Sequence, residues 1–281
     1  MKSLVFIFYF FLSQTLSCQD SVLKKGSKPF VLGKINEIES KILLEKRILN
    51  IYLPDGYNEN DTLQYPVIYL LDGSADEDFI HIAGLLQFLN FPWVNKVPKS
   101  ILVGIANVDR KRDFTFPTTI EKDKKDFPTT GRSAKFISFI ELELQPYIEK
   151  HYKTTSNKTI IGQSLGGLLA TEVLFKKPKL FTNYIIVSPS LWWNNQSLLT
   201  TYPNVLKSNF TLPTSIYLAV GKEEKIMEED VKKLVSILKK EPRKNIIVNF
   251  EYFTDEDHAS ILHNAVYKGL EKINKNLIKK K

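Results

Sequence analysis

A serine lies among glycines near the middle of the chain, in the run 160–167 (IIGQSLGG). The apolar residues before it predict a buried strand, and the residues after it predict a helix. In such a G-x-S-x-G turn the strained backbone exposes the serine hydroxyl above the sheet. We expect glycine at Gly162 and Gly166 because a Cβ there would collide with neighbouring backbone. The pattern predicts that Ser164 is a nucleophile; the alternative is an ordinary glycine-rich helix start.

A serine hydroxyl needs a base to attack efficiently, and the chain has four histidines. His258 follows the last predicted strand and precedes the last predicted helix, the place of the histidine when the chain order is Ser, acid, His. His81, His151 and His263 fall in or just after predicted helices. His258 is therefore the predicted base, and the alternative is a surface histidine.

A carboxylate is expected after the predicted strand at 216–220, where it would hold the imidazole in one tautomer and stabilise the imidazolium. Glu224 is preferred and Glu223 is the alternative acid. Two further interpretations stay open at this point. One is a Ser–His dyad without an acid, and the other is a pair of solvated glutamates at a lysine-rich helix start.

Two backbone N–H groups are expected to stabilise the oxyanion of the tetrahedral intermediate. The Leu165 N–H follows the nucleophile directly, and the Ser74 N–H lies in the loop after the predicted strand at 67–71. Both positions are at the carboxyl ends of parallel strands, where the working residues of such sheets gather.

Two arginines follow the predicted strand at 101–106 and would lie at the rim of the same pocket. A guanidinium on Arg110 or Arg112 would meet an anionic or catechol oxygen with fixed geometry. The alternative is a salt bridge to Asp109 or Asp113 that only orders the loop.

Two tryptophans follow the predicted strand at 184–187. One of Trp192 and Trp193 is expected to wall the pocket and stack on an aromatic acyl group, while the other packs in the core.

The elements that position these residues alternate along the chain. This alternation predicts an α/β fold with a mostly parallel central sheet of about eight strands and helices on both faces. Residues 107–132 are expected to form a long polar loop, and Pro146 is expected to kink the helix that begins at Ser133. The predicted strands lie at 31–38, 46–53, 67–71, 101–106, 159–162, 184–187, 216–220 and 246–253, and the other predicted helices at 79–90, 165–176, 228–240 and 259–278.

With 281 residues and 43% hydrophobic residues, the chain can bury a substantial core. Residues 1–18 have the charged start, apolar run and small-residue end of a signal peptide, so we expect export to the periplasm or out of the cell and one catalytic domain at 19–281. Cys18, the single cysteine, would bring the protein to a membrane only if it is lipidated. The net charge is +8, but aromatic residues are not interleaved with the basic residues as they are on a nucleic-acid-binding surface. No nucleic-acid partner is therefore expected.

Several motifs together resemble the putative-esterase branch of the α/β-hydrolases, a branch that includes siderophore esterases, feruloyl esterases, S-formylglutathione hydrolases and mycolyltransferases. The similarity extends over about residues 35–275. It implies an α/β-hydrolase fold and serine chemistry without a metal or cofactor. The matching runs are 51–54 (IYLP), 69–73 (YLLDG), 109–113 (DRKRD), the Ser164 turn, 188–193 (SPSLWW) and 257–260 (DHAS).

The runs 109–113 and 188–193 look most like the siderophore-esterase side of this family. The expected function is therefore a serine carboxylic-ester hydrolase that acts through an acyl-enzyme on a small-molecule ester, with a siderophore trilactone as the preferred substrate. The alternatives are a feruloyl or acetyl carbohydrate esterase, an acyltransferase, and a non-catalytic ligand-binding relative.

Overall fold

A computed structural model describes residues 28–201, 213–240 and 245–278 of the chain. The chain divides into two units, Met1–Val31 and Leu32–Lys281, and every strand and helix given below lies in the second. The predicted signal peptide, its boundary after residue 18 and Cys18 lie outside the described residues.

The described part of the chain forms one eight-stranded sheet in the order β1-β2-β4-β3-β5-β6-β7-β8. β1 pairs with β2 and β2 pairs with β4 in antiparallel fashion, and every other neighbouring pair is parallel. The strands are β1 Lys34–Ser40, β2 Glu45–Tyr52, β3 Tyr65–Leu70, β4 Ile101–Ile105, β5 Thr154–Gln163, β6 Asn183–Val187, β7 Thr214–Gly221 and β8 Ile246–Phe253. The predicted mostly parallel sheet is confirmed.

Helices connect the parallel strands, and α6 has the bounds that the sequence predicts. Within the described residues, no helix is both long enough and apolar enough to cross a membrane. The helices are α1 Phe79–Leu89, α2 Arg110–Phe114, α3 Glu121–Asp126, α4 Ser133–Phe139, α5 Gln145–His151, α6 Leu165–Lys176, α7 Trp193–Thr201, α8 Lys225–Lys239 and α9 Ile261–Ile278.

The prediction of a polar loop at 107–132 was wrong, because this segment contains α2 and α3. The Asp109 side chain accepts the Arg112 N–H at 3.0 Å and so caps α2, a short-range device that hydrophobic periodicity does not reveal. A π-helical turn at Ile140–Leu144 joins α4 to α5. Pro146 follows it in the first turn of α5, where a residue without an N–H is tolerated.

Alternate residues of the central strands enter two separate cores, one on each face of the sheet. Tyr69 packs in the larger core with α4, α6 and α8, whereas Ile68 and Leu70 pack in the smaller core with α1 and α9. Burial on both faces explains why β3, β4, β6 and β7 read as continuous apolar runs. The carboxyl ends of β3, β5, β6 and β7 therefore lie along one edge of a rigid sheet.

Candidate active site

Ser164 occupies a strained turn between β5 and α6. Its φ of 57° and ψ of −119° lie outside the conformations that side chains usually adopt, and such strain persists only where surrounding contacts enforce it. A Cβ on Gly162 would overlap the carbonyl oxygen of Gly166. The predicted strand, elbow and helix are therefore present, with the half-buried Ser164 side chain at the carboxyl end of β5.

The sequence predicted that Gly166 is the second position where only glycine fits, but the closer contacts are at Gly167. A Cβ on Gly166 would come no closer than 3.3 Å to a neighbouring atom, whereas a Cβ on Gly167 would lie 2.9 Å from Pro189 Cα. Close packing of α6 against the loop after β6 therefore makes Gly167 the more demanding position.

His258 lies in the loop between β8 and α9, and its Nδ1 is 2.7 Å from Glu223 Oε2. The Glu223 side chain is 2% exposed and that of His258 is 45% exposed. Burial alone would raise the pKa of Glu223, but hydrogen bonds from His258, Ser188 and Gly221 outweigh burial and bring that pKa below its ordinary value. An ionised carboxylate only accepts hydrogen bonds, so the proton of a neutral imidazole lies on Nδ1 and Nε2 is left as an acceptor.

The preference for Glu224 as the acid is corrected by this geometry. The Gly221 N–H, at 3.1 Å, and the Ser188 hydroxyl hold Glu223 Oε1 at the end of β7. Glu224 is exposed instead, at the N-cap of α8, where its carbonyl oxygen accepts the Met227 N–H at 2.9 Å. The two glutamates are adjacent in sequence, but only Glu223 turns back toward the sheet.

The loop that carries His258 is fastened to the same sheet edge as Ser164. The side-chain amide of Gln163, the residue before Ser164, donates to the His258 carbonyl oxygen. The Lys222 N–H donates to the Glu256 carbonyl oxygen at 2.7 Å. Among the described residues, the hydrogen bond of Ser164 Oγ is to Ser190 Oγ, at 3.3 Å, and not to His258. Catalytic hydrogen bonds of this kind often form only when substrate is bound.

The other three histidines make contacts elsewhere. The rings of His81 and His263 meet edge to face with centroids 5.7 Å apart, and burial together with the neighbouring His263 lowers the pKa of His81. His151 Nδ1 lies 2.7 Å from the Tyr147 carbonyl oxygen. Within the described ranges, His258 is the one of the four whose ring hydrogen-bonds a carboxylate at the sheet edge that carries Ser164.

The two expected oxyanion donors differ in the structure. The Leu165 N–H begins α6 and has no hydrogen-bond acceptor among the described residues. The Ser74 N–H donates to Glu77 Oε2 at 3.2 Å, and Glu77 also accepts from the Asn107 side-chain amide at 3.0 and 3.2 Å. Ser74 and Glu77 have the spacing of a capping box, in which the glutamate reaches back to the first N–H of the turn.

Arg110 makes a two-pronged contact with Asp72, with Nε 2.6 Å from Oδ1 and Nη2 2.9 Å from Oδ2. This partner is neither Asp109 nor Asp113, the two aspartates considered from the sequence. The Arg110 side chain remains 34% exposed. The guanidinium therefore lies beside the loop that contains Asp72 and Ser74, and the Asp72 carboxylate balances its charge.

The structure gives Arg112, expected from the sequence to bind substrate, two carboxylate partners of its own. Its Nε lies 2.7 Å from Asp113 Oδ1, and its Nη1 and Nη2 lie 3.0 and 2.6 Å from the Glu45 carboxylate. The side chain is 17% exposed, and the fully buried Arg47 bonds the same two carboxylates. Arg112 therefore links α2 to β2. Its salt bridge to Asp113 is one of the two structural alternatives given from the sequence.

The two tryptophans differ in burial. Trp193 is fully buried and its Nε1 donates to the Phe116 carbonyl oxygen at 2.9 Å, so it packs in the core and is not a substrate contact. Trp192 is half-buried, and its ring lies 5.9 Å from that of Phe127. Trp192 is the one of the pair that can meet a ligand.

Sequence reasoning missed three side chains of this region. Ser188 bonds Glu223, Ser190 bonds Ser164, and Glu77 takes the Ser74 N–H. The two serines lie in the 188–193 run that carries the family resemblance. The Ser74-to-Glu77 spacing is a readable capping signal.

Comparison with known proteins places this chain among esterases. The family model described as "Putative esterase" matches residues 40–263. The ferri-bacillibactin esterase BesA of Bacillus subtilis is 32% identical over 246 residues, which cover 80% of this chain and 84% of that protein.

Two solved structures resemble the chain closely in fold. An IroE-like serine hydrolase from Shewanella oneidensis has a TM-score of 0.79 and 30% identity, covering 87% of this chain and 80% of that one. The BES protein from Bacillus cereus has a TM-score of 0.79 and 29% identity, covering 90% of this chain and 98% of that one. The chain therefore belongs to the "Putative esterase" family and is a carboxylic ester hydrolase with an α/β-hydrolase fold.

Proposed function

We propose that this protein is a serine esterase that hydrolyses the ester bonds of a siderophore trilactone through an acyl-enzyme. The observation that carries the proposal is the strained Ser164 elbow at the same sheet edge as the bonded pair of Glu223 and His258. The name of the Bacillus subtilis relative, a ferri-bacillibactin esterase, supports the choice of substrate class.

In the proposed reaction, Ser164 Oγ attacks the ester carbonyl carbon while His258 Nε2 takes the hydroxyl proton. Glu223 holds the Nδ1 proton and stabilises the imidazolium, which then protonates the leaving alcohol. Water attacks the acyl-enzyme in the second half of the reaction, with His258 again taking the proton. The acid leaves and Ser164 regains its hydroxyl hydrogen.

The tetrahedral oxyanion would be stabilised by the N–H groups of Leu165 and Ser74. One such donor lowers the activation barrier by about 2.7–4 kcal/mol in comparable enzymes. The Leu165 N–H is free to donate, whereas the Ser74 N–H must first exchange Glu77 for the substrate oxygen.

Aromatic contacts support a substrate with aromatic acyl groups. Trp192 and Phe127 lie with ring centroids 5.9 Å apart, and Lys111 Nζ lies 4.8 Å from the Phe127 centroid. A flat acyl group stacked on Trp192 would gain about 0.5–1.5 kcal/mol beyond area burial. The net charge of +8 favours the encounter with an anionic ferric complex.

The test uses two substrates, ferri-bacillibactin and 4-nitrophenyl butyrate. Wild-type protein should hydrolyse both and take up one fluorophosphonate label on Ser164, detected by peptide mass spectrometry. S164A should lose both activities and the label, while S138A, which also deletes one hydroxyl, should behave as wild type. Tight binding of the siderophore without hydrolysis or labelling would contradict the proposal and favour a binding protein.

A second comparison tests the aromatic substrate class. W192A should raise KM for ferri-bacillibactin but leave KM for the butyryl ester unchanged. W93A is the matched control, since Trp93 is 78% exposed and stacks on Phe91. Equal KM values for W192A and W93A on ferri-bacillibactin would remove Trp192 from the substrate site.

We further propose that the protein acts after export, because residues 1–18 have the pattern of a signal peptide. Mass spectrometry of the protein recovered from cell fractions should find a mature N-terminus near Cys18. Recovery of the intact N-terminus from the cytoplasm would contradict this.

A further inference from the structure

We infer that residues 187–190, the segment made of the last residue of β6 and the three that follow it, form a positioning element that fixes Ser164 and Glu223 relative to each other. Ser188 and Ser190 are its two positioning residues. The inference rests on the proposed function and deepens it, because it assigns to one short segment the task of joining the nucleophile to the acid.

The first part of the argument is the backbone of the nucleophile. The Ser164 N–H donates to the Val187 carbonyl oxygen at 3.1 Å, and the Ser164 carbonyl oxygen accepts the Ser190 N–H at 3.0 Å. Ser164 thus has hydrogen bonds to the same segment on both sides of its strained φ of 57°. Strained residues persist where their surroundings over-determine them, so the segment holds the elbow in shape.

The second part is the hydroxyl of the nucleophile. Ser190 is buried, and its Oγ lies 3.3 Å from Ser164 Oγ. Among the described residues, Ser190 is the residue whose side chain hydrogen-bonds the Ser164 hydroxyl. Ser190 therefore sets the direction of the nucleophile before substrate arrives.

The third part is the acid. The fully buried Ser188 donates its hydroxyl to Glu223 Oε1, which leaves Oε2 for His258. Ser188 is itself held in place, because its N–H donates to the Ala219 carbonyl oxygen at 2.8 Å and its φ is 41°. A serine in the left-handed region, far from a loop tip, again indicates a conformation that the neighbours impose.

The packing of α6 prevents the segment from sliding. A Cβ on Gly167 would lie 2.9 Å from Pro189 Cα and 3.0 Å from the Val187 carbonyl oxygen. The first turn of α6 therefore rests directly on the segment between its two serines. Movement of the segment would displace the elbow and the carboxylate together.

The roles of the two serines predict different kinetic effects. Loss of the Ser188 hydroxyl removes a donor from Glu223, and a donor to a charged acceptor contributes more than one between neutral groups. We expect S188A to lower kcat for 4-nitrophenyl butyrate by about tenfold with little change in KM. The acidic limb of the pH profile should move to higher pH, because a carboxylate with one donor fewer holds its proton more tightly.

S188G separates the hydroxyl from the backbone. Glycine also lacks the hydroxyl but adopts a φ of 41° without strain. We expect S188G to share the low kcat and the shifted pH limb of S188A while it melts at a higher temperature than S188A. Recovery of kcat in S188G would show that backbone strain, not the hydrogen bond to Glu223, governs activity, and would overturn the role of Ser188.

S190A tests the other end of the segment. We expect the rate of fluorophosphonate labelling to fall by about threefold, the size of one neutral hydrogen bond, with the acidic pH limb unchanged. A labelling rate equal to that of the S138A control would overturn the role of Ser190. Absence of ester hydrolysis and labelling in wild-type protein would instead contradict the proposed function, so the two failures are distinguishable.

Discussion

On one side of Ser164 the proposed acid Glu223 and the proposed base His258 are already hydrogen-bonded to each other, whereas on the other side the Ser74 N–H donates to Glu77. Glu223 has three donors around its carboxylate, namely His258, Ser188 and the Gly221 N–H. The Ser74 N–H has one acceptor, and that acceptor would compete with a substrate carbonyl.

The difference follows from where the hydrogen bonds originate. The Glu223 contacts join β6, β7 and the loop after β8, so they form when the sheet is complete. The Glu77 contact joins two residues three positions apart in the turn that precedes α1. The hydrogen bonds of Glu223 thus depend on strands that are distant in sequence. The Ser74 N–H, in contrast, is occupied by an acceptor from its own turn.

The largest expected effect concerns the acid. E223Q should lower kcat/KM for 4-nitrophenyl butyrate by at least about a hundredfold, because an amide no longer fixes the Nδ1–H tautomer or balances the imidazolium. E224Q is the matched control and should stay within about twofold of wild type, since exposed side chains contribute little. Equal losses in the two variants would refute the assignment of the acid; steady-state kinetics measures both.

The next effect tests the closed side of the site. E77A removes the acceptor at the Ser74 N–H, so the substrate oxygen no longer has to displace a carboxylate. We expect kcat/KM for a small neutral ester to rise by about threefold, the size of one net hydrogen bond, while Tm falls because Glu77 no longer accepts from the Ser74 N–H and the Asn107 side-chain amide. D76A alters a neighbouring exposed carboxylate of the same turn and should change neither quantity. A lower kcat/KM in E77A would mean that Glu77 assists the reaction.

The smallest effect is a pH-dependent stability. Burial, Asp72 and Glu77 raise the pKa of Asp78 from 3.8 to about 6, against the opposing charge of Arg110. The folded state thus binds this proton more tightly than the unfolded state. The resulting stabilisation is fully present below pH 3.8 and is lost as pH rises through about 6.

D78N keeps a neutral side chain at every pH, and Asp78 makes no side-chain cap that the change would remove. We expect D78N to melt about 2 °C above wild type at pH 7.5, with the difference shrinking as pH falls from 6 toward 3.8. Calorimetry at pH 4 and pH 7.5 provides the measurement. An equal Tm at pH 7.5 would show that neither burial nor the charges of Asp72 and Glu77 penalise the ionised Asp78 side chain in the folded protein.

Much of the fold could be predicted from local pattern. The apolar runs of β3, β4, β6 and β7 and the bounds of α6 agree with the structure because burial on both faces leaves a continuous signal. The short helices α2 and α3 were missed because neither is long enough to show an apolar periodicity; a side-chain cap from Asp109 starts α2, and α3 has no buried residue. The elbow at Ser164 could be predicted because backbone geometry determines it. The partners of long side chains such as Glu223 and Arg112 could not, because several partners are within their reach.

The sequence by itself determined the elbow at Ser164 and the position of His258 after the last strand, because each depends on a turn beside a recognisable strand. Only the tertiary structure decided that Glu223 and not Glu224 meets His258, and that Arg112 is bound by Glu45 and Asp113. The physical reason is direction. Adjacent side chains leave the backbone toward different sides, and which one faces a partner depends on loops that meet only when the sheet has formed.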